Sequence, residues 1–398
     1  MRLTNPVPPL ASPAAFASVE MDEDDALRDR SGHGVDLVET RFAHLPGSFA
    51  LDGGHTLDEV RVAYETYGQL NARRDNAILL CHALSGDAHA AGRHAPDDAH
   101  PGWWDAMVGP GKAFDTRRYH VICSNVLGGC AGTTGPASVD PRRGRPYGSD
   151  FPVVTIGDMV AVQARLLDAL GIERLAAVAG GSMGGMQALH WAVHYPGRVA
   201  RAVVLASTAR LSAQALAFNE AGRQAIMGDP RWRDGRYPAE DGPVGGLAAA
   251  RMIGHLTYLS AQGMEQRFGR RLRRDGVSYS FAADYQVEGY LRHQAESFVR
   301  RFDANSYLYI TRAIDYFDLQ AGFPSLVAAL RRASAFFLVA SVDSDWLYPT
   351  AQARELVDAL AEGGKQARAV EISSPHGHDA FLLEHALLTP HIAAFLAE

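Results

Sequence analysis

Ser182 lies in the run Gly180-Gly181-Ser182-Met183-Gly184-Gly185, between the apolar stretch LAAVAGG (175–181) and the helix-like stretch GMQALHWAVHYPG (185–197). A serine hydroxyl reacts as a nucleophile only when a turn presents it and a base takes its proton. Glycines two residues to either side suit a sharp strand-to-helix turn, because a Cβ there would meet the neighbouring strand or helix. The hydroxyl would then stand at a helix N-terminus, where partial positive charge favours an oxyanion. The same glycines could instead cradle a phosphate on backbone N–H groups. That alternative fails in detail. No lysine follows the glycines, as a P-loop requires, and about 20 residues on lies Arg201-Ala202-Val203 where a dinucleotide turn needs an acid.

A nucleophilic serine needs a base, and the base needs an orienting acid. With this kind of elbow they follow in the order serine, acid, histidine. SVDSDWLYP offers Asp343 and Asp345 just past an apolar run, and SSPHGHDAF offers His376 and His378 before the last helical stretch. Position alone does not choose within either pair. Acyl transfer also needs two N–H donors for the oxyanion. The residue after the nucleophile, Met183, supplies one, and the loop CHALSGDAH (81–89) is placed to supply the other from Leu84. His82 and His89 in that loop suggest a metal, but no third ligand is within reach by sequence, so no metal is expected.

These residues need elements to hold them. VRVAYETYG (60–68) alternates like a half-buried strand, while NAILLCHA (76–83), YHVICSN (119–125), LAAVAGG and ARAVVLAS (200–207) read as strands buried on both faces. Helical periodicity fills the intervals, as in MVAVQARLLDALG (159–171), which stops at Gly171. This alternation predicts an α/β fold with a mostly parallel sheet. From Ala209 to Leu326 strand patterns vanish, and 212–228, 245–263, 285–302 and 305–317 read as helices. Strand patterns return in SAFFLVASV (334–342) and ARAVEIS (367–373), each followed by a helix, at 349–364 and 380–398. The expected organisation is a disordered tail over 1–35, a core formed by 36–208 with 327–398, and a helical insertion over 209–326 that serves as a lid.

Bulk composition narrows the function class. Of 398 residues, 47% are apolar and 21% charged, as in an ordinary globular protein. A net charge of −7 disfavours a nucleic-acid partner. The three cysteines show no C-x-x-C spacing, which fits a reducing cytoplasm better than a disulfide framework. No apolar run reaches the length of a membrane span, and the Pro- and acid-rich N-terminus does not read as a signal peptide.

Nine spaced motifs together resemble the homoserine O-acyltransferases: HALSGDAH, GWWDAMVGPGKAFDT, SNVLGGCAGTTGPAS, GGSMGGMQAL, FNEAGRQAI, ARMIGHLTY, RFDANSYLY, SDWLYP and GHDAFL. They extend from about residue 36 to the C-terminus. The resemblance implies an α/β-hydrolase fold and a role in methionine biosynthesis. It assigns Ser182 as nucleophile, Asp345 as triad acid, His378 as base, and the Leu84 and Met183 amides as oxyanion hole. Arg251 would hold the acceptor's carboxylate and Asp379 its amine, which suits a zwitterion.

The resemblance also bears on specificity. Succinyl-using members tend to carry an arginine two residues after the triad acid, where this chain has Leu347. An apolar residue there would leave a second carboxylate unpaired, so acetyl-CoA is the expected donor. Serine-acylating relatives tend to carry a proline where this chain has Gly86, which points to homoserine as the acceptor. No cofactor beyond the acetyl-CoA cosubstrate is implied. A homodimer formed through the insertion is expected from the same resemblance.

Overall fold

A computed structural model describes Val35 and residues 37–398. Apart from Val35, the expected tail over 1–35 lies outside the described residues. The centre is an eight-stranded sheet of β1 (Arg41–Leu45), β2 (Val60–Tyr67), β3 (Ala77–Cys81), β4 (His120–Ser124), β5 (Ala177–Gly181), β6 (Arg201–Leu205), β7 (Phe336–Val342) and β8 (Ala367–Ile372). Their spatial order is β1-β2-β4-β3-β5-β6-β7-β8. β1 pairs antiparallel with β2, and β2 antiparallel with β4; the other pairs are parallel. Every residue of β3 and β5 is buried, as their unbroken apolar runs require. β1 carries RFAHL, whose mixed charge gave no strand signal.

Helices cover both faces. α1 (Ile156–Ala169) starts in a capping box, with the Thr155 side chain accepting from Asp158 N–H. α2 (Met183–His194) follows β5 directly. Between β6 and β7 run α3 (Ala213–Met227), α4 (Val244–Tyr258), α5 (Ala261–Arg267), α6 (Gln286–Val299), α7 (Ala304–Asp315) and α8 (Leu326–Arg331). α3, α4, α6 and α7 enclose a small core of their own around Ile226, Leu247, Ala250, Phe298 and Tyr307. The two ends of this excursion meet. Leu319 N–H donates to the Ala209 carbonyl at 2.9 Å, and Arg210 bridges Asp318 antiparallel. α9 (Thr350–Glu362) follows β7, and α10 (Ala380–Leu383) and α11 (His385–Ala397) close the chain.

Two expected helices are each broken in two. The helix expected over 245–263 stops at Leu259, where Ser260 caps α5 by accepting from Gly263 N–H and itself donates to the Pro375 carbonyl. The helix expected over 380–398 breaks at Glu384, and its parts meet at 64°. There Ser374 Oγ donates to Glu384 Oε1 at 2.6 Å. In both cases a contact with the loop after β8 competes with helical continuity. No single helix among the described residues is long and apolar enough to cross a membrane.

Candidate active site

The turn after β5 carries Ser182 at φ 56°, ψ −123°, a conformation strained for any residue with a Cβ. Close packing maintains it. A Cβ on Gly184 would lie 2.0 Å from the Cys81 carbonyl oxygen at the end of β3, and one on Gly181 would lie 2.2 Å from the Phe381 ring. The glycines therefore let the elbow sit directly against β3 and α10. Ser207 Oγ anchors the turn by donating to the Ser182 carbonyl at 2.7 Å.

Of the two candidate acids, Asp345 faces the histidine loop from a buried position, while Asp343 is exposed and accepts from Ser374 N–H. Of the two candidate histidines, His378 meets Asp345: its Nδ1 lies 2.7 Å from Asp345 Oδ2, with both side chains buried. His376 lies 3.8 Å from Glu384 instead. The other oxygen of Asp345 accepts from the N–H groups of Leu347 and Tyr348, each at 2.9 Å. Burial disfavours the charged form of His378. The Asp345 charge and hydrogen bond, with Asp379 adding to them, outweigh that penalty and raise its pKa. The donor from Nδ1 leaves Nε2 as the basic nitrogen.

Tyr348 joins the elbow to this pair. Its buried ring packs edge-on against His378, with centroids 5.1 Å apart, and the Ser182 side chain is among the groups that act on its phenol. Burial, followed by the nearby Asp345 charge, pushes the phenol pKa up, so Tyr348 stays protonated. It was not singled out from sequence; it lies inside SDWLYP, but a tyrosine there carries no spacing signal.

The oxyanion candidates occupy suitable backbone positions. Met183 is the first residue of α2, so its N–H has no intrahelical acceptor. Leu84 sits in a tight turn after β3, and Gln187 Nε2 of α2 donates to the adjoining His82 carbonyl at 3.2 Å, tying turn and elbow together. The Leu84 side chain packs against both the main core and the insertion's core.

The insertion contributes Arg251 from α4. Its guanidinium lies 4.6 Å from the Phe298 ring centroid and 5.7 Å from that of Tyr258. Its buried Nε and Nη1 have no protein acceptor. Such donors are costly to bury unless an anion meets them. Tyr258 stands in the fields of both Arg251 and Asp379, and its ring centroid lies 6.0 Å from that of His378. Arg251, Asp379 and His378 thus converge on one tyrosine. Leu347 is half-buried against the main core.

Only one trio among the described residues has metal-ligand geometry: Glu65, His89 and His94. The sequence put His82 beside His89 and missed the other two, because Glu65 comes from β2 and His94 from later in the loop. Glu65 is already saturated. It accepts from His89 Nδ1 at 2.9 Å, His94 Nε2 at 2.7 Å, Thr40 Oγ1 at 2.7 Å and the Tyr67 hydroxyl at 2.8 Å. Burial opposes its charge, but these donors prevail and hold its pKa at about 2, while the Glu65 partnership raises that of His89 against its own burial. The arrangement is that of a hydrogen-bonded network around one buried carboxylate, with His94 at its exposed end.

Comparison with known proteins agrees with this architecture. A family model described as "alpha/beta hydrolase fold" matches residues 76–385. A homoserine O-acetyltransferase of Solidesulfovibrio magneticus is 56% identical, covering 92% of this chain and 94% of that protein. A homoserine O-succinyltransferase of Magnetococcus marinus is 56% identical over 91% and 95% respectively. Among solved structures, homoserine O-acetyltransferase from Bacillus anthracis superposes with a TM-score of 0.86 at 34% identity, covering 91% of this chain and 98% of that one. Esterase E22 superposes with a TM-score of 0.84, also at 34% identity, over 90% and 100%.

Proposed function

Since the chain belongs to the homoserine O-acyltransferases of the α/β-hydrolase fold, we propose that it moves an acetyl group from acetyl-CoA to the hydroxyl of L-homoserine through an acyl-enzyme on Ser182. His378 Nε2 takes the Ser182 proton as Oγ attacks the thioester carbon. The Leu84 and Met183 amides receive the oxyanion. The C–S bond breaks, and His378 returns the proton to the departing thiolate. Homoserine then gives its hydroxyl proton to His378 and attacks the acyl carbon. Ser182 leaves with that proton, and O-acetyl-L-homoserine is released.

The observation that carries this reading is the half-buried Arg251, whose buried Nε and Nη1 find no protein acceptor. A hydrolase of neutral esters has no use for such a group. An amino-acid acceptor would satisfy it with a carboxylate and present its amine to Asp379. A structural neighbour is named an esterase, so hydrolysis is the competing outcome to be tested. Leu347 supports acetyl over succinyl, because its apolar side chain offers nothing to a distal carboxylate. The insertion would exclude water from the acyl-enzyme. The same reading makes the chain a cytoplasmic enzyme of methionine biosynthesis, paired with a second copy through the insertion, where Tyr279 and Phe281 are fully exposed.

The test is to follow thiol release from acetyl-CoA with and without L-homoserine. Release that depends on homoserine and yields O-acetylhomoserine is expected. Release at the same rate without homoserine would make the protein a thioesterase, and faster turnover of succinyl-CoA would overturn the donor assignment.

A further inference from the structure

We propose that His82 is a positioning residue for the oxyanion hole, holding in place the peptide unit whose N–H is that of Leu84. The inference rests on Ser182 being the nucleophile. It starts from the tautomer of a fully buried ring. Val126 N–H donates to His82 Nε2 at 3.1 Å, so Nε2 is an acceptor and the neutral ring carries its proton on Nδ1. Nδ1 lies 2.7 Å from the Ala83 carbonyl oxygen and donates to it.

The Ala83 carbonyl and the Leu84 N–H are opposite ends of one planar peptide. Fixing the direction of the carbonyl therefore fixes the direction of the N–H. Gly86 N–H donates to the same oxygen at 3.0 Å, closing the turn. Arg301 Nη1, reaching from the insertion, donates to the Ser85 carbonyl at 2.8 Å. Among the described residues the Leu84 N–H itself donates to no acceptor. Two donors on its carbonyl also polarise this peptide and make its N–H a better donor.

The environment keeps His82 in the required form. Burial pushes its pKa down, against weaker upward influences from the Ala83 bond and the Asp87 charge. A protonated ring would set an Nε2–H against the Val126 N–H. Gly86 packs closely against the side chain: a Cβ there would lie 2.9 Å from His82 Cβ and 3.4 Å from Nδ1. His82 touches neither substrate nor the reacting atoms, so its role is to orient.

The two ring nitrogens can be tested separately. Asparagine keeps an amide N–H donor near the place of Nδ1, and glutamine keeps an amide oxygen, an acceptor, near the place of Nε2. Ser182 acylation is read as the burst of nitrophenolate from 4-nitrophenyl acetate, which does not depend on which acyl-CoA is the natural donor. His82→Asn is expected to keep the burst rate within about threefold, whereas His82→Gln and His82→Phe slow it by about 10- to 100-fold, a fraction of what losing an oxyanion donor costs. KM for L-homoserine should move less than about twofold in all three variants, because the peptide acts on the developing charge alone. Thermal stability should rank differently from rate, since His82→Asn loses the Val126 acceptor and His82→Gln does not. Equal burst rates in the three variants, or rates that follow thermal stability, would overturn the assignment. A wild-type burst that survives in Ser182→Ala would instead sink the nucleophile reading itself.

Discussion

His378 and Asp345 meet at 2.7 Å with almost no solvent on either side chain, and this pairing raises the pKa of the histidine. A base works only when neutral, so a raised pKa moves the loss of activity to higher pH. The acid limb of kcat/KM is expected to have its midpoint above the ordinary histidine value of about 6.5. Asp345→Asn removes the charge, so the midpoint should move down while kcat falls by about ten-thousandfold. Stability runs the other way. The pair's contribution is complete below about pH 6.5 and is lost as pH rises through the folded-state value. A pH–rate profile of both proteins, with melts over the same range, checks both signs.

Ser182→Ala is expected to lower kcat by about a millionfold while leaving the melting temperature close to that of the parent. The strain at φ 56° belongs to the backbone, and alanine carries the same Cβ. Intact-mass analysis after acetyl-CoA alone should show one acetyl group on the parent and none on the variant. Full turnover by the variant would remove Ser182 from the mechanism.

Arg251→Ala should raise KM for L-homoserine by about 10- to 100-fold, the worth of a charged hydrogen bond to a buried carboxylate. Asp379→Asn should act in the same direction through the amine. Arg251→Ala should leave the acylation burst unaltered, because the guanidinium does not meet the thioester, whereas Asp379→Asn should move the burst only through its share in raising the His378 pKa. A KM for homoserine that stays put in both variants would detach these residues from acceptor binding.

Leu347→Arg is expected to raise the ratio of kcat/KM for succinyl-CoA over acetyl-CoA by about tenfold or more, by giving the distal carboxylate a partner. Parallel thiol-release assays measure it. An unchanged ratio would mean that donor choice is made elsewhere in the site.

Gly184→Ala places a Cβ 2.0 Å from the Cys81 carbonyl, a backbone atom that cannot swing away. A destabilisation of about 1–3 kcal/mol is expected from the overpacking, with the burst lost as the elbow shifts from β3. Denaturant titration and the burst assay together measure the effect.

Much of this was written in local pattern. The buried parallel strands are continuous apolar runs, and the glycines around Ser182 mark a close approach that the Cys81 carbonyl makes real. The acid and histidine loops were found by position, but the choice of Asp345 over Asp343 depends on burial, which adjacent acidic residues do not reveal. Tyr348, Arg301 and the Glu65 network were not legible, because each acts through partners far away in the chain. The breaks at Ser260 and Glu384 were missed for the same reason: a tertiary contact outweighed a local helical preference.

The bond from Leu319 to Ala209 has a consequence for how the chain is assembled. From the standpoint of the sheet, the whole excursion between β6 and β7 enters and leaves as if it were a tight reverse turn. Loop-closure entropy grows only slowly with the length of what is looped out, so about a hundred extra residues add little to the difficulty of pairing the two strands. The excursion has its own apolar centre and a single doorway into the core. In folding terms it is a branch that closes on itself and is then pinned to the core, by Ser260 on the Pro375 carbonyl and by Arg301 on the Ser85 carbonyl.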